Sequence, residues 1–253
     1  KLLSPLYGGS LFVWAAILAV TLGALAFGYY YGGVLSSKPE PQQKLFTVVM
    51  IAAICIALMP FLASYVVPYI SYIELKLAII LSASLLIFLP IFFLGCTTPL
   101  LVRLNTVSAE TAGLISGKVY AISTVGGIVS TLLCGFFLIP SLGLKITLLA
   151  FAILLFITAI LVLKIFKANS TIPFILVLLF SLKTMIGNDN GSVIYYKHGI
   201  MGEIGVAEYL TEKEPIRQLL INNIVQTEMI IRTKRSTSNY IKSIDSVVPF
   251  QTQ

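Results

Sequence analysis

The chain has 253 residues, of which 58% are hydrophobic and 11% are charged, and its mean hydropathy is +0.98. Because about a quarter of the residues in soluble globular proteins are charged, this composition excludes an ordinary soluble domain and predicts an integral protein of a lipid bilayer. The formal net charge is +7, yet the cations stand mostly between apolar runs and in the polar C-terminal part. A nucleic-acid-binding protein would instead carry them as a stripe interleaved with aromatic residues, so that class is excluded.

Six apolar segments predict an all-α polytopic membrane domain over residues 1–187. About 20 apolar residues cross a hydrocarbon core about 30 Å thick, and five of the segments reach that length. Pro60 predicts a kink in the second segment, because proline lacks a backbone donor and clashes with the preceding turn. The sixth segment is short and either spans or lies in the interface. The predicted segments are residues 10–35, 45–67, 75–102, 113–140, 144–166 and 172–186.

Small residues recur every four positions in the first and fourth segments. Helices in lipid gain little from hiding apolar surface, so close backbone approach along small-residue faces supplies much of the contact energy. We therefore predict that these residues pack helices together, within the chain or against another one. The predicted helix-packing residues are Gly23, Gly28 and Gly32 in the first segment, and Gly117, Ala121, Gly127 and Gly135 in the fourth.

The apolar segments contain no Asp, Glu or His. Ion-coupled transporters usually keep such groups within the membrane, so their absence weakens a transporter hypothesis. Cys55, Cys96 and Cys134 have no spacing typical of a metal site or a disulfide framework, and His198 stands alone. The sequence therefore predicts no metal site.

Basic residues are unevenly distributed between the two sets of short loops. The richer set is expected on the cytoplasmic side, and the tail is then expected outside the cytoplasm if the sixth segment spans. One set holds Lys38, Lys44, Arg103, Lys164 and Lys167, and the other holds Lys76 and Lys145.

Residues 188–253 form a region of different character, in which apolar and polar residues alternate and charges are frequent. This pattern predicts a small β-rich C-terminal appendage, with strands at 192–197, 203–210, 216–222 and 224–231. Asn222 and Asn223 predict a tight turn. Gly199, Gly202 and Gly205 are predicted turn or bulge residues, because no helix follows them as it would in a nucleotide-binding loop.

Two stretches resemble a known family. The fourth segment contains the ordered set Gly117, Tyr120, Ser123, Gly126, Gly135, Phe136, Pro140 and Gly143, and it resembles the membrane half of fused major-facilitator/spermidine-synthase proteins. VIYYKHGIMGEIGVAEY followed by LLINNIVQTEM resembles the N-terminal β-region of spermidine synthases. The resemblance implies a prokaryotic cytoplasmic membrane, a preceding apolar helix, and substrate contacts by Gln226 and Tyr240.

The sequence also departs from that family. Asn222 and Asn223 replace its Asp-Gly, and the Gly-rich loop and carboxylates of a Rossmann-like catalytic domain are missing, so we expect no catalytic residues and no cofactor. The resulting hypothesis is a non-catalytic structural or accessory subunit that contacts a protein partner or a second copy through its small-residue faces and its tail. Two alternatives stay open: a fragment of a membrane-bound polyamine aminopropyltransferase whose catalytic domain is missing, and a transporter.

Overall fold

The structure is a computed structural model that is mostly helical and ends in a small antiparallel sheet, which confirms the predicted fold class at that level. Tyr240 and the predicted Asn222-Asn223 turn lie outside the described residues. The described residues are 3, 7, 10–70, 72–163, 168–186, 192–199, 202–210, 214–221 and 224–237.

The helices follow the apolar segments closely, and three of them are interrupted by π-helical turns. The π-turns are π1 (Leu62–Val66), π2 (Ser84–Phe88) and π3 (Cys134–Leu138). A 3₁₀ turn at Ala109–Thr111 precedes α6. The α-helices are α1 (Leu11–Ser36), α2 (Pro41–Phe61), α3 (Val67–Ile70), α4 (Leu75–Ala83), α5 (Leu89–Asn105), α6 (Ala112–Leu133), α7 (Ile139–Leu142), α8 (Leu144–Leu163) and α9 (Ala168–Ile186).

Four continuous helical stretches are long and apolar enough to cross a membrane. They are Leu11–Ser36, Pro41–Ile70, Leu75–Asn105 and Ala109–Leu142, and a shorter apolar helix covers Leu144–Ile160. Helices suit this environment because they satisfy their own backbone hydrogen bonds, which hydrocarbon cannot do. The structure therefore shows the membrane-helical character that the composition predicts, with four candidate spans among the described residues.

Helix α2 lies at the centre of the bundle and contacts α5, α8 and α9. Phe46 and Phe174 are almost fully buried in this core, and the ring of Phe174 stacks on Phe156 with a centroid separation of 4.2 Å. One polar contact joins the same helices: the Ser181 hydroxyl of α9 donates to the Ala57 carbonyl of α2 over 2.5 Å. In an apolar bundle such a bond ties the two helices and satisfies the buried hydroxyl.

Each π-turn ends two residues before a proline, namely Pro68, Pro90 or Pro140. Proline cannot donate a backbone hydrogen bond and its ring clashes with the carbonyl four residues earlier, so a wider turn accommodates it. Pro60 lies near the end of α2, which continues to Phe61, and the irregular turn π1 begins directly afterwards at Leu62.

The C-terminal sheet is an antiparallel meander with strand order β1-β2-β3-β4. Every strand starts and ends within two residues of its predicted bounds: β1 is Ser192–Gly199, β2 is Gly202–Leu210, β3 is Pro215–Ile221 and β4 is Ile224–Ile230. Gly199 pairs with Gly202 at the first hairpin, as predicted, whereas Gly205 is not a turn or bulge residue, because it pairs regularly with Tyr196 and Leu220 inside β2. Strand β1 lies against α7, so the sheet sits at the end of the fourth span.

Candidate interaction surfaces

The glycine face of α1 is closed by α5. A Cβ atom placed on Gly28 would collide with the Phe92 carbonyl oxygen, and one placed on Gly32 would lie 2.7 Å from the Cα of Cys96. Gly95 faces α1 in turn, so that a Cβ added to it would lie 3.3 Å from the Cα of Gly28. Backbone therefore touches backbone along this line, and no side chain fits between the two helices.

The residues of α5 that complete this contact were not predicted as packing residues. Gly95 and Cys96 are both buried, and the ring of Phe92 lies 5.7 Å from the ring of Tyr31, beside the glycine line. The signal was present in the sequence as a step of small residues at 95–98. The facing helix also needs small residues, because the distance between two helix backbones depends on the side chains of both helices.

The small-residue face of α6 is open. Apart from the nearby backbone of their own helix, no atom lies within 4 Å of a Cβ added to Gly117 or Gly127, or to Gly135 in the adjoining π3, and Ala121 is exposed. Helix α6 is described throughout its 22 residues, and none of them is buried. Gly23 of α1 is open in the same way. The structure thus brings Gly28 and Gly32 into a contact and leaves the other predicted packing residues at the surface of the described chain.

Three hydroxyl groups of α6, those of Thr124, Ser130 and Thr131, bond to their own helix. Thr131 Oγ1 donates to the Gly127 carbonyl over 2.7 Å, and Thr124 Oγ1 donates to the Tyr120 carbonyl over 2.8 Å. A hydroxyl satisfied in this way costs much less in an apolar surrounding than an unbonded one. The exposed face of α6 is therefore compatible with lipid or with another transmembrane helix, although it carries several polar residues.

An apolar groove of about 350 Å³ opens between α2, α5 and α8. Its lining has no polar surface, so it offers no group that could orient a polar substrate. The lining residues are Ile56, Met59, Ile87, Pro90, Ile91, Leu94, Leu148, Phe151 and Leu155.

The family resemblance directs attention to Gln226 in the sheet. Leu219 pairs with Thr227 and Leu220 pairs with Val225, so Gln226 is the extra residue of a β-bulge, and it is exposed. Bulges often re-aim a side chain next to a functional site. Tyr240 lies outside the described residues, so the structure does not bring the two predicted substrate-binding residues together.

Two carboxylates of the sheet, those of Glu208 and Glu228, accept hydrogen bonds from nearby side chains. Glu228 accepts from Gln218 Nε2 over 2.7 Å and from Thr237 Oγ1 over 3.1 Å, while Arg217 Nε donates to Glu208 over 3.0 Å. Such bonds hold strands in register and do not prepare a carboxylate for proton transfer. Within the described residues no group of three or more His, Cys, Asp or Glu side chains could hold a metal ion.

Comparison with known proteins finds no counterpart: no family model, no curated protein and no solved structure matches this chain. The resemblance to spermidine-synthase-like membrane proteins therefore stays an expectation from the sequence. The features that bear on function are the contrast between the two small-residue faces and the position of the sheet beside α7.

Proposed function

We propose that this protein is a non-catalytic structural or accessory subunit of a membrane complex, anchored by six spans that include α8 and α9. The observation that supports the proposal is the open face of α6. The same four-residue spacing of small residues that produces backbone contact between α1 and α5 recurs on α6, where it meets nothing in the described chain. A face of that kind gains contact energy when another transmembrane helix covers it.

The occupant that we propose for this face is α6 of a second copy. Ser123, Gly127 and Thr131 form one line along α6, and Gly135 of π3 follows four residues later. Two identical lines can meet across a twofold axis, since each residue then faces small residues of its counterpart. The sheet lies against α7 at the end of the same span, so the tail is placed to contribute to the assembly.

Disulfide cross-linking in native membranes tests this assignment. In a chain whose Cys55, Cys96 and Cys134 are replaced by alanine, Ser123→Cys should give a cross-linked dimer under mild oxidation. Val125→Cys is the matched control, because it lies about 200° around the same helix and is also exposed. Equal cross-linking at both positions, or none at Ser123, would contradict the assignment to this face.

The side of the tail follows from the proposed topology. With the more basic loops in the cytoplasm and six crossings, the sheet lies outside the cytoplasm. Thr233→Cys, on an exposed turn of the tail, should then react with a membrane-impermeant thiol reagent on intact cells. Ser37→Cys, in the loop after α1, should react only after the cells are lysed. The reverse labelling pattern would place the tail in the cytoplasm.

A second candidate function is aminopropyl transfer by a longer membrane-bound protein, which the exposed bulge position of Gln226 favours. Calorimetry with decarboxylated S-adenosylmethionine, carried out on the protein purified from its native membrane at its native length, distinguishes the two functions. The accessory role predicts no binding at micromolar concentrations. Micromolar binding that disappears in Gln226→Ala but survives in Gln218→Ala would support the enzyme instead.

A further inference from the structure

We propose that α3 and α4, with the described residues 72–74 that precede α4, form a helical hairpin that pivots as one unit on π1 and π2. Both legs of the hairpin carry a π-turn where they join the bundle, at Leu62–Val66 and at Ser84–Phe88. The two π-turns lie against each other, so the legs are irregular at the same level. Because π1 and π2 lie side by side, both legs can bend at the same level and the hairpin can rotate about an axis through the two turns. A single irregular turn would bend one helix against its neighbour.

The backbone bonding of the legs explains why they should bend there. The Val67 N–H donates to the Leu62 carbonyl, five residues back, and Pro68 has no N–H with which to continue the ladder. Pro90 interrupts the second leg in the same way, two residues after π2. Fewer hydrogen bonds resist bending at these two levels than in regular α-helix, and kinks concentrate at such places.

Pro99 shows that the effect does not belong to proline alone. It lies inside α5, where the α-helical pattern continues to Asn105. Near Pro99, the Thr97 hydroxyl donates to the Leu94 carbonyl over 2.6 Å. Pro99 therefore serves as the matched control for the two prolines of the hinge, whereas Pro60 lies only two residues before π1.

The hairpin has a packing partner of its own, separate from the central core. Val67 and Ile79 are buried with Val13 of the first half of α1. The second half of α1 is held on α5 through Gly28 and Gly32. In addition, Ile87 of π2 and the neighbouring Pro90 line the apolar groove, so a pivot at π2 changes the width of that groove.

The expected displacement follows from the length of the hairpin. Tyr72, at its tip, stands about eight residues beyond the middle of π1, which corresponds to about 12 Å along a helix. A bend of about 20°, typical of a helix kink, would move the tip by about 4 Å.

Pulsed electron paramagnetic resonance in lipid nanodiscs measures this motion. Nitroxides are attached at Tyr72→Cys and Lys145→Cys, both exposed, in the chain whose native cysteines are replaced by alanine. We expect two distance populations, or one broad population, with a spread of about 4 Å. Pro68→Ala combined with Pro90→Ala restores both N–H groups and should narrow the distance distribution, while Pro99→Ala should leave the distribution broad.

A single narrow distance in the chain with its native prolines would overturn the proposal, and so would equal narrowing by Pro99→Ala. If the Pro68→Ala/Pro90→Ala chain fails to fold, amide hydrogen exchange of the unmodified chain tests the hinge instead. Amides of 62–67 and 84–89 should then exchange at least tenfold faster than those of 92–98 in α5. Equal protection of these segments would refute the hinge.

Discussion

The small-residue faces of α1 and α6 have the same spacing and different outcomes. On α1, Gly28 and Gly32 touch the backbone of α5, whereas Gly117, Gly127 and Gly135 of α6 have open space around them. The spacing of small residues therefore shows that another helix can approach closely, but it does not identify that helix. The identity of the partner depends on the small residues of a second helix, such as Gly95, and on whether the chain brings that helix alongside.

The largest effect is expected where backbone contact is closest. In an open helix, replacing glycine by alanine usually stabilises by up to about 1 kcal/mol, because alanine is the better helix former. At Gly28 the added Cβ would collide with the Phe92 carbonyl, which flexible side chains cannot relieve. We expect Gly28→Ala to lower the free energy of unfolding by about 1–3 kcal/mol and Gly28→Leu to prevent assembly of the bundle. Unfolding titrations in mixed lipid and detergent micelles measure both.

Gly23 provides the matched control on the same helix, since its surroundings are open. Gly23→Ala should leave the free energy of unfolding unchanged or raise it slightly. A similar loss of stability in both variants would show that glycine acts here through helix propensity and would remove the distinction between the two faces.

On α6, a bulky residue should disrupt the proposed dimer without destabilising the folded monomer. Gly127→Leu should change the free energy of unfolding of the monomer by no more than about 0.5 kcal/mol, as for other surface positions. It should nevertheless abolish the dimer that Ser123→Cys traps. Ile128→Leu, at an exposed neighbouring position, should preserve the dimer. A large loss of monomer stability in Gly127→Leu would place α6 inside the bundle and refute the open face.

A smaller effect is expected at the hydrogen bond that holds α9 on α2. Ser181→Ala removes the donor to the Ala57 carbonyl, and hydrogen bonds between membrane helices contribute about 0.6 kcal/mol on average. Thr158→Ala removes a hydroxyl that bonds within its own helix, to Leu155, and should have no measurable effect. Equal effects in the same unfolding titration would mean that the contact between α2 and α9 does not depend on this bond.

The smallest effect is expected in the sheet, away from both helix faces. Arg217 and Glu208 form a cross-strand ion pair whose side chains are 42% and 30% exposed. Arg217→Ala should destabilise the sheet by about 0.2–1 kcal/mol, less at high salt because exposed charges are screened. Arg232 and Glu214 are separated by 3.9 Å, and the Arg232 side chain is 82% exposed. Arg232→Ala should therefore leave the stability of the sheet unchanged. Amide exchange of β2 and β3 at two salt concentrations checks the contrast.

Several features could be read directly from the sequence because they depend on local pattern. The fourth apolar segment was expected over residues 113–140 and lies within the helical stretch Ala109–Leu142, and the strands were placed within two residues of their ends. Long apolar runs must be helical in lipid, since each backbone group has to bond within its own segment. Alternation of period two identifies strands for a similar reason, as it places apolar side chains on one face of a sheet.

The tertiary structure determined the features that depend on contacts between residues far apart in the chain. Gly28 became a closed contact because α5 presents Gly95 opposite it, while Gly127, with the same local pattern, faces no helix of the described chain. The irregular turn π1 formed between Pro60 and Pro68, and Gln226 became the extra residue of a bulge because its neighbours Val225 and Thr227 pair with β3. A local pattern fixes which backbone conformations are allowed, but contacts between residues far apart in the chain select among them.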